Sequence, residues 1–186
     1  MAVKRIMIYL KGIDDFGLYY KMNDKFELNA YTDADCGGNI DDRKSTSGGA
    51  LFLGKRIVTW TSKKKTCTSQ SIAEAKYVAE TINCTNIVWI KNLLKGIKEE
   101  VTKPVILYCD KTSAINISKN TVMHAKTKHI AIKYHYVREF FEEKQVKMEY
   151  IHTKEQIVDI FTKPLPKDAY EYLKGKLGVK PLTQVA

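Results

Sequence analysis

Val105-Ile-Leu-Tyr-Cys109 is a continuous run with no charged residue. A strand of that composition suits the middle of a sheet covered on both faces, the setting of a parallel strand flanked by helices. Pro104 precedes it and Asp110 closes it. A second candidate strand differs in kind. Phe26-Glu-Leu-Asn-Ala-Tyr31 alternates apolar and polar residues, the period-2 mark of a half-buried strand, and runs into Thr32-Asp33-Ala34-Asp35. Side chains two apart share a face, so Asp33 and Asp35 point the same way.

The remaining elements follow from periodicity and turn residues. Residues 2–11 read as a helix that resembles the tail of a preceding domain. Leu18–Lys21 and Phe26–Tyr31 suggest a hairpin about Asn23-Asp24, and Ser45-Thr-Ser-Gly-Gly49 suggests a loop. Ala50–Leu53 and Ile57–Trp60 are short strands separated by Gly54-Lys55, giving three antiparallel strands. A long helix carries Ile72, Ala75, Ala79, Ile82, Asn86, Ile90, Leu93 and Ile97 on one face. After Asp110 come a short helix over Ser113–Lys119, a long one over Thr127–Lys144 and a strand over Val146–Ile151. Two further helices, Glu155–Phe161 and Lys167–Leu177, are split by Pro164 and Pro166, and the tail from Lys180 reads as loose. This order predicts an α/β fold: a five-stranded mixed sheet, three strands antiparallel and two added in parallel through helical crossovers, flanked by helices.

The net charge of +10 is unevenly placed. Arg43 to Ala73 holds seven Lys or Arg and no acid, and Lys119 to Arg138 holds five and no acid. Such segments fit a surface that tracks phosphates. Arg43, Lys44, Lys63, Lys64, Lys65, Lys126 and Lys128 are therefore the candidates for nucleic-acid binding. No apolar run approaches the roughly 20 residues that span a bilayer, so no membrane partner is expected. Cys36, Cys67, Cys84 and Cys109 form no CxxC pair, which suits a reduced intracellular setting.

Four acids stand at element ends or in apolar surroundings. Asp33 ends the first strand; Glu74 opens the long helix, where Ser71-Ile-Ala-Glu74 also fits a capping box. Asp110 ends the buried strand, where open α/β sheets place ligands or where it is simply a helix N-cap. Asp159 lies within Ile157-Val-Asp-Ile-Phe161. Carboxylates converging from separate elements are what two-ion phosphodiester hydrolysis needs. His152, in the loop before Asp159, is either a proton shuttle or a plain loop residue. His124, His129 and His135 match no zinc spacing and read as surface or interface residues.

Tyr31-Thr-Asp-Ala-Asp35, Asp42-Arg-Lys-Ser-Thr-Ser-Gly48, Trp60-Thr-Ser-Lys-Lys64, Ala73-Glu-Ala-Lys-Tyr77, Leu107-Tyr-Cys-Asp110, His124-Ala-Lys-Thr-Lys-His-Ile130 and Asp159-Ile-Phe-Thr-Lys-Pro-Leu165 follow one another in an order that resembles the ribonuclease H domain of Copia-type (Ty1/Copia) retrotransposon Pol polyproteins. The resemblance implies that residues 1–25 are the C-terminal end of a reverse transcriptase or connection region. A ribonuclease H-like domain would then cover 26–178, with 179–186 a loose tail. It implies hydrolysis of the RNA strand of RNA–DNA hybrids during reverse transcription, with the reverse transcriptase portion of Pol as partner. Two Mg²⁺ ions, or Mn²⁺ in their place, would be held by Asp33, Glu74, Asp110 and Asp159, with His152 near a mobile histidine of related nucleases. The parent element would place the chain in cytoplasmic virus-like particles. The sequence departs from the family at Cys36, where Trp is usual, at Lys76, where a second Glu is usual, and at Lys111, where Asn is usual. Lys76 is two residues from Glu74 and is expected to point elsewhere, whereas Lys111 is expected to compete with metal at Asp110. A catalytically impaired nucleic-acid-binding remnant is the alternative.

Overall fold

The structure, a computed structural model, describes residues 2–20, 26–35, 44–65, 72–119 and 139–184. Its elements are α1 (Ala2–Lys11), β1 (Phe16–Leu18), β2 (Leu28–Asp35), β3 (Thr46–Leu53), β4 (Arg56–Lys64), α2 (Ile72–Gly96), β5 (Val105–Cys109), α3 (Thr112–Lys119), β6 (Val146–Tyr150), α4 (Asp159–Thr162), α5 (Lys167–Lys176) and β7 (Val179–Pro181). Among the described residues one sheet has five strands in the order β4-β3-β2-β5-β6, with β2 antiparallel to β3 and β3 to β4. β5 joins β2 in parallel and β6 joins β5 in parallel, so the expected α/β architecture holds.

The apolar run does what its composition requires. Val105, Leu107 and Cys109 are fully buried and pack with Ile87, Ile90 and Leu94 of α2, Ala114 and Ile115 of α3, and Val146 and Met148 of β6. A second cluster on the other face joins Ala50, Phe52 and Ile57 to Ile157, Val158 and Leu177. These two layers fix the sheet between helices and bring the carboxyl ends of β2 and β5 side by side.

Four local expectations need correction. Thr46–Leu53 is one strand, so Ser45–Gly49 is not a loop. The glycines there serve close packing: a Cβ on Gly48 would lie 2.6 Å from Val158 and Thr162, and one on Gly49 would collide with the Asn83 amide. β1 pairs with β7 rather than with β2, through Phe16↔Pro181, Gly17↔Lys180 and Leu18↔Val179. Residues 179–181 are therefore paired and not a loose tail, and Leu182–Gln184 continue as a 3₁₀ turn. Residues 153–155 form another 3₁₀ turn, so the helix expected over 155–161 shortens to α4. Of the helix expected over 127–144, residues 139–142 are helical and 127–138 lie outside the described residues. No helix among the described residues is long and apolar enough to cross a membrane.

The buried face of α2 is the correction that matters for function. Ile72, Leu93 and Ile97, assigned to the core by periodicity, are more than half exposed. The buried stripe instead runs through Lys76, Glu80, Asn83, Ile87, Ile90 and Leu94. Its steps are still three and four, but the first three members are polar.

Candidate functional site

The parallel register sets Asp33 beside Asp110. Tyr31 lies opposite Tyr108, and each acid follows two residues later, so both carboxylates leave adjacent strands, about 4.8 Å apart, at one level. Asp33 is buried to 1% exposure, and the Asp110 side chain to 7%. Ala75 and Ala79 of α2 pack on Ala34 of β2. These small side chains let the helix approach the strand end closely, and Lys76, between them, reaches over both acids.

The Lys76 ammonium donates to Asp33 Oδ1 at 2.7 Å and to Asp110 Oδ1. The second oxygens are also engaged: Thr162 Oγ1 donates to Asp33 Oδ2 at 2.9 Å, and Thr153 Oγ1 to Asp110 Oδ2 at 3.3 Å. Burial alone would raise the Asp33 carboxyl, but the Lys76 charge, its hydrogen bond and that of Thr162 outweigh it and hold Asp33 below its ordinary value. Burial would likewise strip the proton from Lys76. Asp33 and Asp110 overcome it and keep the ammonium charged well above the usual lysine range.

Asp159 lies at the start of α4, where its Oδ2 meets Lys163 Nζ at 2.8 Å. Its Oδ1 is buried without a partner. Burial, then the nearby Asp33, push its carboxyl up to about 6 despite the lysine. Beneath Lys76, Glu80 is fully buried; Ser118 Oγ donates to its Oε2 at 2.5 Å and its Oε1 has no partner. Burial raises it to about 7 against the pull of Ser118, Cys109 and Lys76. Two buried amides brace the strand end. Asn83 Nδ2 donates to Thr32 Oγ1, Gly48 O and Ala79 O, and Gln156 Nε2 donates to Thr32 O.

The other candidates fall in different places. Glu74 is half-buried on α2, and two residues on a helix are about 200° apart, so with Lys76 turned to Asp33 and Asp110 the Glu74 side chain leaves the helix on the opposite side. Lys76 and Glu74 therefore point different ways, as their spacing implies, but it is Lys76 that enters the acid cluster. Lys111 is exposed, and the cation that reaches Asp110 is Lys76. His152 is exposed and caps the 3₁₀ turn, its Nδ1 accepting from Lys154 N at 3.2 Å; its neighbour Thr153 is the residue that touches Asp110. Lys63 and Lys64 are exposed at the end of β4, opposite Ser47 and Thr46, which pair in turn with Ala34 and Asp35. That places them two strands, about 10 Å, from the acid-bearing strand. Lys65 turns inward and donates to Ala75 O at 2.9 Å, and Lys44 is half-exposed. Arg43, Lys126, Lys128 and Cys36 lie outside the described residues.

The retrovirus-related Pol polyprotein from transposon RE1 of Arabidopsis thaliana is 35% identical over 96% of this chain. That from transposon TNT 1-94 of Nicotiana tabacum is 37% identical over 96%. The chain is a homologue of Copia-type Pol polyproteins. It spans 12% and 13% of the length of these two relatives. No protein-family model matches it. Among solved structures, the N-terminal RNase H domain of a Mycobacterium tuberculosis protein, fused to maltose-binding protein, gives a TM-score of 0.50 at 10% identity. That match covers 80% of this chain and 98% of that one, and with the sheet order it shows a ribonuclease H-like fold.

The residues at this strand end do not fit the metal pair that the resemblance implies. Both oxygens of Asp33 and of Asp110 already accept from protein donors. Among the described residues, no three His, Cys, Asp or Glu side chains converge so as to hold a metal. Doubling the unit-charge figure, a divalent ion about 4 Å from the ammonium would be repelled by roughly 8 kcal/mol at an effective dielectric of about 20. Lys76, Glu80, Asn83, Gln156 and Thr162 are the site residues that sequence reasoning missed. The signal available for Lys76 was its departure from the second glutamate that the resemblance implies there.

Proposed function

We propose that this chain is a ribonuclease H-type domain of a Copia-type Pol polyprotein that engages RNA–DNA hybrids without cutting them. The observation that carries this reading is the Lys76 ammonium seated between Asp33 and Asp110, at the carboxyl ends of β2 and β5. The fold and the homology support the hybrid as ligand. The exposed Lys63 and Lys64, level with the acid end of β2, supply cations for a phosphate backbone beside it. RNA–DNA hybrids differ from duplex DNA in shape and in the 2′-hydroxyls of one strand, and this chemistry is what such a domain would read.

The metal-dependent reading of Asp33, Glu74, Asp110 and Asp159 loses its basis at Lys76. The remaining carboxylates have structural partners: Asp33 holds Thr162 of α4, Asp110 holds Thr153, and Asp159 holds Lys163. Titration of a labelled hybrid, with duplex DNA and single-stranded RNA as competitors, tests the proposal. Hybrid binding that weakens steeply with salt and resists the competitors is expected. Equal binding to all three would leave only a non-specific basic surface.

A further inference from the structure

We infer that the Lys76 side chain stands in for a divalent cation. One tethered ammonium, rather than loss of the carboxylates, closes the site to metal, and Lys76→Glu would open it. The inference rests on the placement of Lys76 between Asp33 and Asp110, not on hybrid binding. Three observations carry it.

First, the acids are intact. Asp33 and Asp110 stand level on adjacent parallel strands, both nearly shielded from solvent, and the buried Asp159 at the start of α4 lies close enough to Asp33 to feel its charge. Second, the cation shared by Asp33 and Asp110 comes from the helix position where the resembled family usually carries a second glutamate, while Lys163 pairs with Asp159. Lys76 lies on the buried stripe of α2, four residues before Glu80 and seven before Asn83, and its side chain is 9% exposed. A glutamate there starts from the same Cα, between Ala75 and Ala79, with the same two aspartates ahead of it. Third, the ammonium bridges one oxygen from each aspartate, which is what a cation shared by two carboxylates does. Its donors replace metal–oxygen bonds, and its permanent tether removes the entropic cost of capturing an ion from solution. Substituting Glu changes the local charge by two units: it removes the ammonium shared by Asp33 and Asp110 and adds a fourth acid, with Lys163 still paired to Asp159. That cluster would require an external cation, and its hard oxygen donors select Mg²⁺ or Mn²⁺.

Mn²⁺ binding, followed by the loss of the free-ion electron paramagnetic signal, tests this on the full chain. Wild type, Lys76→Glu and the double variant Lys76→Glu/Asp110→Asn are compared. Lys76→Glu is expected to bind at least about ten-fold more tightly than wild type, and the double variant to lose that gain. Lys76→Glu should also melt below wild type in EDTA and recover when Mn²⁺ is added. If it does not fold in any metal concentration, Lys76→Gln removes the cation without adding a charge. It should show a smaller gain that Asp110→Asn again abolishes. Wild type binding Mn²⁺ as tightly as Lys76→Glu, with Asp110→Asn abolishing it, would overturn the inference. So would a folded Lys76→Glu or Lys76→Gln with no gain. Hybrid binding by the same proteins is a separate reading: its absence would sink the proposed function and leave the metal result standing.

Discussion

The two halves of α2 present one continuous buried stripe with opposite chemistry. Its C-terminal half packs Ile87, Ile90 and Leu94 into the core around β5. Its N-terminal half carries Lys76, Glu80 and Asn83 to the same depth, against the ends of β2, β3 and β5. The apolar half is held by area removed from water, which is insensitive to pH and needs no partner of particular charge. The polar half is held by charge balance and hydrogen bonds, each worth little until its partner is removed. A helix can thus be anchored in a core by one end and wired into an ionic site by the other.

The contrast breaks most sharply at Lys76. Lys76→Met leaves Asp33 and Asp110 buried without a cation and is expected to cost about 3–5 kcal/mol at pH 7, read from urea unfolding. Asp33 is held below its ordinary 3.8 in the folded protein, so the stability it contributes is present above that value and is lost as pH falls through the depressed one. The gap between wild type and Lys76→Met should therefore narrow below about pH 4. Ile87→Ala, four residues past Asn83, should cost about 3 kcal/mol by transfer and cavity terms. That loss should be the same at pH 5 and pH 8; a strong pH dependence would show the two halves to be coupled.

Glu80→Gln sharpens the comparison with the opposite sign. The Glu80 carboxyl rises from 4.5 to about 7 on folding, so its support for the fold is complete below pH 4.5 and is lost as pH rises through 7. Glutamine should match wild type near pH 5 and exceed it by up to about 3 kcal/mol at pH 8, seen as a melting temperature that no longer falls with pH. The smallest effect is expected outside the helix. Lys63→Ala with Lys64→Ala should leave unfolding unchanged and reduce the salt slope of hybrid binding by about 1 per lost phosphate contact. An unaltered slope would remove β4 from the interface.

Much of the architecture was legible because single runs carried it. Val105–Cys109 has the composition of a covered strand and is one, and of the four acids singled out, Asp33 and Asp110 come side by side while Glu74 leaves its helix on the other side. The errors share another cause. Gly48 and Gly49 carry turn chemistry in the sequence, yet they lie in a strand because Asn83, Val158 and Thr162 need the space of a missing Cβ. β1 finds its partner in β7, at the far end of the chain, and no local pattern announces so distant a pairing. On α2, apolar periodicity selected Ile72, Leu93 and Ile97 because it scores a lysine, a glutamate and an asparagine as outward-facing. The buried face turns polar where the sheet end holds charge, and the hydrophobic pattern gives no sign of that turn.

Cleavage of the RNA strand of a labelled RNA–DNA hybrid in Mg²⁺, by wild type and by Lys76→Glu under conditions where both bind, tests the central claim most directly. The claim requires wild type to bind and leave the RNA intact. Cutting by folded wild type, abolished by Asp110→Asn and by EDTA, would contradict it and show that the site admits metal with Lys76 in place.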